Sequence, residues 1–269
     1  MSSGVEYREI SAKYYDEAYA TKEDLVDRDF YVELARRVGG PVLELACGTG
    51  RILLPIAREG IAIHGVDLSA AMLNALRNNL KREPKDVREL VSVVEGDMRN
   101  FRSNRQYPLV IIPFRPLQHM DTVEDQLAAL NTAAFHLEED GVLTFDVFFP
   151  RFSSIQSGIG EESLDLEWPL KSEAGTIVRR YFKKESVDKI NQSFAGTFIF
   201  RTYKEGKLVR EETEPLKMSY YTYPHLRALF LLAGLEIVEE YGSFARTPLD
   251  NDAEQMIFVL KRKPDVVRI

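Results

Sequence analysis

An apolar run, VLELA (42–46), passes directly into Cys47-Gly48-Thr49-Gly50 and then into the amphipathic stretch RILLPIAREG. Gly48 and Gly50 remove side chains where the backbone turns sharply, so that a ligand can touch the main chain. The amides that open the next helix add donors and a dipole suited to an anionic group such as a carboxylate. Glu44 lies inside the run, just ahead of Ala46. A second apolar run ends in HGVDLS and places Asp67 and Leu68 at the carboxyl edge of a sheet, where an acid can accept both hydroxyls of a ribose. A third runs into Gly96-Asp97-Met98; there Asp97 can take the exocyclic amine of adenine while Met98 packs on the ring. Each feature has a plainer reading as a structural turn, a helix cap or a surface turn. Ser69 fills the capping role better than Asp67, however, and three ligand-type residues at three successive strand ends together describe an adenosine site. A dinucleotide would need a third glycine where Leu53 stands, and Glu44 opposes a pyrophosphate at this turn.

Such strand ends require a parallel sheet behind them. From Pro41 to Phe149, short apolar runs (41–46, 61–66, 90–95, 108–113, 142–148) alternate with amphipathic stretches, the pattern of βαβ units covered on both faces. The helices between them include one that starts after Ser69 and one that starts near Thr122 and runs through FHLEED. After Phe149 the text turns to β-branched and aromatic residues alternating with charges, in 175–185, 191–207 and 208–223, with a hairpin turn at KEGK (204–207). The charged stretches 179–189 and 201–214 read as solvated strand faces. YPHLRALFLLAGL returns as a helix closed at Gly234, followed by two strands. The expected organisation is an α/β domain over 1–150 and 221–269, with 1–40 as an N-terminal helical lid and 151–220 as an inserted antiparallel β subdomain.

The chain has 269 residues, 45% of them hydrophobic and 29% charged, which excludes disorder and fibrous repeats. One cysteine, Cys47, excludes an internal disulfide and multi-cysteine metal centres, and four dispersed histidines argue against any metal site. A net charge of −7 disfavours nucleic-acid binding. MSSGVEYREI shows no basic region followed by an apolar stretch, and no apolar run has the length of a bilayer span, so a cytoplasmic protein with no membrane partner is expected.

With these motifs in place, the sequence resembles the class I S-adenosylmethionine-dependent methyltransferases. VLELACGTGR is similar to the family's glycine-rich motif I, VDLS to the acidic loop after strand two, EGDM to the adenine-contacting segment and PLVIIPFRPLQHM to the motif after strand four. LFLLAGLEIVEEYGSF is similar to the C-terminal signature, with Leu235 where Phe is usual. The resemblance implies a doubly wound, seven-stranded Rossmann-like sheet carrying an inserted antiparallel β subdomain, with S-adenosylmethionine as cofactor. Glu44 would orient the glycine loop, and Ala46, Gly48 and Gly50 would line the methionine portion. Asp67 and Leu68 would hold the ribose, Asp97 and Met98 the adenine, and Pro113 and Phe114 would sit beside the sulfonium. Met72 joins this set. KYYDEAY (13–19), His119 and the insertion resemble small-molecule N-methyltransferases of the amino-sugar and glycine type, in which a tyrosine of the N-terminal segment closes over the cofactor. That points to Tyr14, Tyr15 or Tyr19; an amphipathic helix packing its rings on the domain remains the alternative.

The acceptor is expected to be a small molecule taking the methyl on N or O. His119 is the residue to manage its proton, against a structural histidine in a loop. Tyr14, Tyr19, Arg115, Tyr221 and His225 are the expected acceptor contacts, and the insertion's strand edges suggest a homodimer. A non-catalytic binding module for S-adenosylmethionine or S-adenosylhomocysteine is one rival reading, and a nicotinamide-dependent oxidoreductase is another.

Overall fold

Strand β1 (Val42–Leu45) is buried at every position, the state of a parallel strand covered on both faces. In the computed structural model, which describes residues 9–19 and 26–264, it pairs in parallel with β2 (Ile63–Asp67) on one side and β4 (Tyr107–Ile112) on the other. The first eight residues, part of the stretch read for a leader, lie outside the described residues. Beyond β2 comes β3 (Val91–Glu95), and beyond β4 comes β5 (Leu137–Phe148), both parallel. The antiparallel strand β11 (Gln255–Arg262) lies between β5 and β10 (Leu235–Tyr241), giving the order β10-β11-β5-β4-β1-β2-β3. The chain winds outward in opposite senses from β1 and β4. The loops that follow these two strands therefore part and leave a crevice at the carboxyl edge, as in open α/β sheets generally.

Alternate side chains of the central strands serve opposite faces. Leu43, Leu45, Val110 and Ile112 pack with α6 (Val123–Phe135) and α8 (Tyr223–Leu232). Val42, Leu109 and Ile111 pack with α2 (Asp27–Val38), α3 (Leu53–Arg58) and α4 (Ala70–Leu80). Ser69 caps α4 by accepting from the Met72 amide at 3.3 Å, and Thr122 caps α6 through Asp125 at 3.1 Å. Helix α6 stops at Phe135, so FHLEED does not continue it. The His136 carbonyl accepts from the Tyr107 amide at 2.7 Å, which draws the chain into the sheet and starts β5 at Leu137. A short α5 (Lys85–Glu89) was not visible in the apolar pattern.

The insertion forms its own antiparallel sheet, β6 (Glu162–Pro169), β7 (Thr176–Asp188), β8 (Ser193–Lys204) and β9 (Lys207–Ser219), in that order, preceded by α7 (Phe152–Gln156). The acidic wording of ESLDLEWP concealed β6, whose inward residues are Leu166 and Trp168. In the KEGK turn, Glu205 (φ 50°) and Gly206 (φ 77°) adopt the left-handed pair of a type I′ hairpin. Register sets Phe182 opposite Phe198 and Arg180 opposite Phe200, so with Val178 these residues share one face. Helix α1 (Glu9–Tyr19) packs on that face through Tyr14 and Ala18 against Trp168, Val178 and Phe200. Helix α2 instead belongs to the main core, so the N-terminal segment is two helices with different tasks.

The expectation of solvated strand faces over 179–189 and 201–214 fails at specific positions. Arg180 is only 5% exposed and paired with Asp165 (2.6 Å), and Glu214 is buried against Ser11 of α1. Both insertion ends meet one side chain. Gln118, buried in a 3-10 turn (Pro116–His119), accepts from the Phe148 amide (3.0 Å) and donates to the Ser219 carbonyl (2.8 Å).

Gly65 of β2 lies opposite Glu44, and a Cβ there would come within 2.6 Å of Leu53 Cδ1 and 2.7 Å of Cys47 Sγ. Gly65→Ala is therefore expected to overpack the base of the glycine turn and cost about 1–3 kcal/mol in urea unfolding. Unchanged stability would mean that the turn can shift freely on the sheet.

Candidate active site

The turn after β1 carries left-handed backbone at Ala46 (φ 60°), Gly48 (φ 54°) and Gly50 (φ 87°). The two glycines serve different ends. A Cβ on Gly48 would meet nothing within 4 Å, so this residue borders open space, whereas one on Gly50 would strike Leu76 Cδ1 at 2.3 Å. Gly50 thus lets α4 approach the turn. The Gly48 amide donates to Asp67 Oδ2 (2.7 Å) and the Ser69 amide to Asp67 Oδ1 (2.8 Å), which fixes the carboxylate at the tip of β2. Burial raises the Asp67 pKa, opposed by those two amides.

Glu44 is buried, and its Oε2 has no hydrogen-bond partner. Burial pushes its carboxyl well above the usual range, with Arg51 pulling the other way. Arg51 is itself clamped to buried Asp27 by two bonds of 2.8 and 2.6 Å. Beneath the turn, then, two carboxyl groups, Asp27 and Glu44, share one guanidinium, with the Asp67 carboxylate near enough to raise the Glu44 pKa further. Such a pocket suits a cationic ligand and opposes a pyrophosphate.

The other wall of the crevice is the turn after β4, where buried Pro113 leads into Phe114 (φ 69°) and Arg115 (φ 70°). Consecutive left-handed residues other than glycine cost on the order of 1–3 kcal/mol each and persist only where their surroundings impose them. Asp146 imposes this pair. It is buried on β5, and its Oδ1 accepts from the Phe114 amide (2.7 Å) and the Tyr31 hydroxyl (2.7 Å), while Arg115 Nε stands 3.9 Å from Oδ2. Burial raises the Asp146 pKa against these bonds, and burial together with Asp146 raises that of Tyr31. Arg51 stacks over the Phe114 ring at 4.5 Å, and Tyr19 and Tyr15 meet that ring edge-on at 5.1 and 6.5 Å.

Helix α1 joins the crevice to the small sheet. Thr49 Oγ1 donates to Asp16 Oδ1 (2.5 Å) and Asn79 Nδ2 to Asp16 Oδ2 (2.6 Å), so α1 is latched onto the glycine turn and α4. On its other side the Ser11 hydroxyl and amide bond Glu214, and the Tyr14 hydroxyl bonds Glu212 (3.0 Å).

The structure therefore brings together Glu44, Ala46, Gly48, Asp67, Phe114, Arg115, Tyr15 and Tyr19. The other candidate residues have surroundings of their own. Tyr14 is turned into the small sheet's core, its ring 5.7 Å from both Trp168 and Phe200. Asp97 is gripped by Arg99 at 2.5 Å; burial pushes its pKa up, but the Arg99 bonds hold it below the usual range. Met98 is part of the main core and Met72 is buried in the first turn of α4, while Leu68 is 40% exposed beside Asp67. Tyr221 is fully buried and donates to the Leu117 carbonyl (2.6 Å), a brace for the 3-10 turn, and His225 lies 3.1 Å from Gln192. His119 ends that turn and bonds the Lys217 main chain; burial lowers its pKa. Sequence reasoning missed Asp16, Asp27, Arg51, Tyr31, Asp146 and Arg180. An acid in the apolar run VLTFDVF and an arginine directly after the glycine turn were available signals.

Residues 42–141 match the family described as methyltransferase domain. Cypemycin N-terminal methyltransferase of Streptomyces sp is 25% identical over 225 residues, 84% of this chain and 84% of that protein. The dTDP-3-amino-3,4,6-trideoxy-alpha-D-glucopyranose N,N-dimethyltransferase of Streptomyces venezuelae is 34% identical over 105 residues, 39% of this chain and 41% of that protein. Among solved structures, the CcbJ methyltransferase from Streptomyces caelestis superposes with a TM-score of 0.78 at 24% identity, covering 97% of this chain and 98% of that one. Residues 42–141 are thus a methyltransferase domain, and the fold is that of the solved S-adenosylmethionine-dependent methyltransferases. The chain is an enzyme that moves a methyl group from S-adenosylmethionine.

Tyr31→Phe removes one of the two bonds that hold Asp146 under the strained turn. It is expected to lower stability by about 1–3 kcal/mol in urea unfolding and to reduce kcat by roughly tenfold through misplacement of Phe114. Wild-type kcat with normal stability would remove Asp146 as the support of this turn.

Proposed function

We propose that this methyltransferase acts on a nitrogen of a small molecule, with Glu44, Asp67, Phe114, Tyr15 and Tyr19 holding the donor and His119 managing the acceptor's proton. The observation that carries the donor assignment is the pair of carboxyl groups, buried Glu44 and half-buried Asp67, which among the described residues have no cationic side chain of their own, in a crevice whose other wall carries the Phe114 and Tyr19 rings. An ammonium and a sulfonium complement the charge of that pair, and a cation is further favoured by the ring faces. Asp67 keeps acceptor capacity for ribose hydroxyls. The nitrogen reading draws on the relatives, one named an N-terminal methyltransferase and one an N,N-dimethyltransferase of a 3-amino sugar.

When bound, S-adenosylmethionine supplies an activated methyl on a cationic sulfur, which a nucleophile displaces in line. The chain's own task is alignment and exclusion of water, worth on the order of 7–11 kcal/mol of barrier. Phe114, fixed by Asp146, and α1, latched through Asp16, form the walls that do this. An amine must present a free lone pair, and the ammonium formed by transfer must then lose a proton. Burial holds His119 below the ordinary imidazole value, so it is neutral at pH 7 and can receive that proton. These features also oppose the rival readings. The anionic well disfavours a nicotinamide dinucleotide, and no residue of the crevice is visibly degraded in the manner of a non-catalytic module. The single buried cysteine accords with a cytoplasmic location. Among the described residues no helix is long and apolar enough to cross a membrane, and no three His, Cys, Asp or Glu side chains gather as a metal site.

Asp67→Ala is expected to weaken S-adenosylmethionine binding by at least about tenfold in calorimetric titration, two charge-assisted bonds being lost. Normal affinity would remove the ribose assignment, and tighter binding of NAD by the wild type would overturn the donor itself. For His119, the sign of its shift makes the neutral form the active one. Activity that depends on it should fade only as pH drops below about 6.5. In His119→Ala, kcat should fall by about a hundredfold or more and that acid limb should disappear; unchanged turnover across pH would rule out proton handling. A homodimer through the insertion is also proposed, supported by exposed Leu164 on edge strand β6 and exposed Leu208 and Val209 on edge strand β9. A monomeric mass in solution would remove it.

A further inference from the structure

Beyond the crevice, where the end of β5 meets the inner face of the small sheet, lies a second space of about 370 Å³. Its walls are the rings of Phe148, Phe149, Phe182 and Phe194 with Ile155 of α7. The rings form one stripe: Phe148 to Phe194 at 6.4 Å, Phe194 to Phe182 at 6.3 Å, and Phe182 to Phe198 at 5.5 Å. Gly196 seats this stripe, since a Cβ there would lie 2.6 Å from the Phe182 ring. The space adjoins the reacting end of the crevice. The Arg115 guanidinium stands over the Phe148 ring at 5.9 Å, and the Phe148 amide is bound by Gln118, next to His119.

Its cations are already committed. Lys184 Nζ donates to the carbonyls of Ser154 (2.5 Å), Ile155 (3.0 Å) and Ser157 (2.9 Å), which uses all three protons, and Arg151 pairs with Glu254 (2.9 Å). A diphosphate entering here would lie against four phenyl rings, with every guanidinium and ammonium of the wall already partnered and only Arg115 beyond its edge, a poor exchange for its hydration. An uncharged apolar group would gain about 25 cal/mol per Å² buried and ring–ring contacts in addition. Cavities of about 150 Å³ accept benzene, so this one has room for a two-ring group or a ring with a short chain.

We propose that this aromatic chamber is the recognition subsite for the methyl acceptor and that it takes an uncharged, apolar portion, an aromatic or aliphatic group joined to the reacting nitrogen, rather than a nucleoside diphosphate. The inference rests on the nitrogen-methyltransferase reading and deepens it. The reacting nitrogen lies on the His119 side of Arg115, and the apolar group extends past Phe148 over the Phe194 and Phe182 rings.

The test uses the full chain saturated with S-adenosylhomocysteine and two calorimetric probes, 1-naphthylmethylamine and a thymidine diphosphate amino sugar. The naphthyl amine should bind more tightly than the nucleotide sugar. Its affinity should fall at least tenfold in Phe194→Ala and, independently, in Ile155→Trp, which fills the chamber instead of opening it. S-adenosylhomocysteine affinity should stay within twofold in both variants, which also reports that they fold. Tighter binding of the nucleotide sugar, failure of the naphthyl amine to bind, or naphthyl binding indifferent to both substitutions would overturn the proposal. Failure of the wild type to bind S-adenosylhomocysteine would instead strike the reading beneath it.

Discussion

Two acids at the base of one crevice govern the arrangement of the rest. Glu44 is buried and Asp67 half-buried on neighbouring strands, and Arg51, the one guanidinium that lowers the Glu44 pKa, is already clamped to Asp27. An unpaired buried carboxyl group is costly, so the native state tolerates them through main-chain amides on Asp67 and a raised pKa on Glu44. A ligand that brings positive charge relieves this cost and stabilises the fold by mass action. The glycine turn, Ser69 and the tight packing around Gly65 all keep these acids where a ligand can reach them.

The opposite wall is held by a different device. Asp146 pins a left-handed Phe114–Arg115 pair from beneath, with Tyr31 of α2 as its second partner. Helix α1 closes the arrangement from above, with Asp16 on the glycine turn and Ser11 and Tyr14 on the small sheet. One helix thus couples the glycine-turn crevice to the small sheet, and Arg180 continues that coupling by reaching the Tyr19 hydroxyl at 3.3 Å.

How much of this was legible follows from the range of each interaction. The strands, the glycine turn, Asp67 and the Ser69 and Thr122 caps are local, since each depends on residues within a few positions, and their patterns are explicit in the text. Asp146, Tyr31 and Asp16 act across the fold: Tyr31 and Asp146 are 115 positions apart, and Thr49 and Asp16 are 33 apart. No periodicity announces such pairs, although an acid in the otherwise apolar TFDVF was a visible anomaly. Tyr14 failed as a crevice residue because helical spacing leaves its neighbour Tyr15 on another face, and only tertiary packing decides which ring faces the donor. Arg180 looked solvated because alternation on a strand does not say which face will later be roofed.

Gln118 has a consequence for how such a protein can change. Its single amide gathers both ends of the inserted sheet, the Phe148 amide where the chain departs and the Ser219 carbonyl where it comes back. The turns between those two points can be lengthened, shortened or resurfaced while the attachment geometry stays as it was, provided the face that α1 covers, with Trp168, Phe200 and Glu214, is kept. An attachment of that kind leaves the outer strands and turns of the insertion open to drift without rebuilding the large sheet.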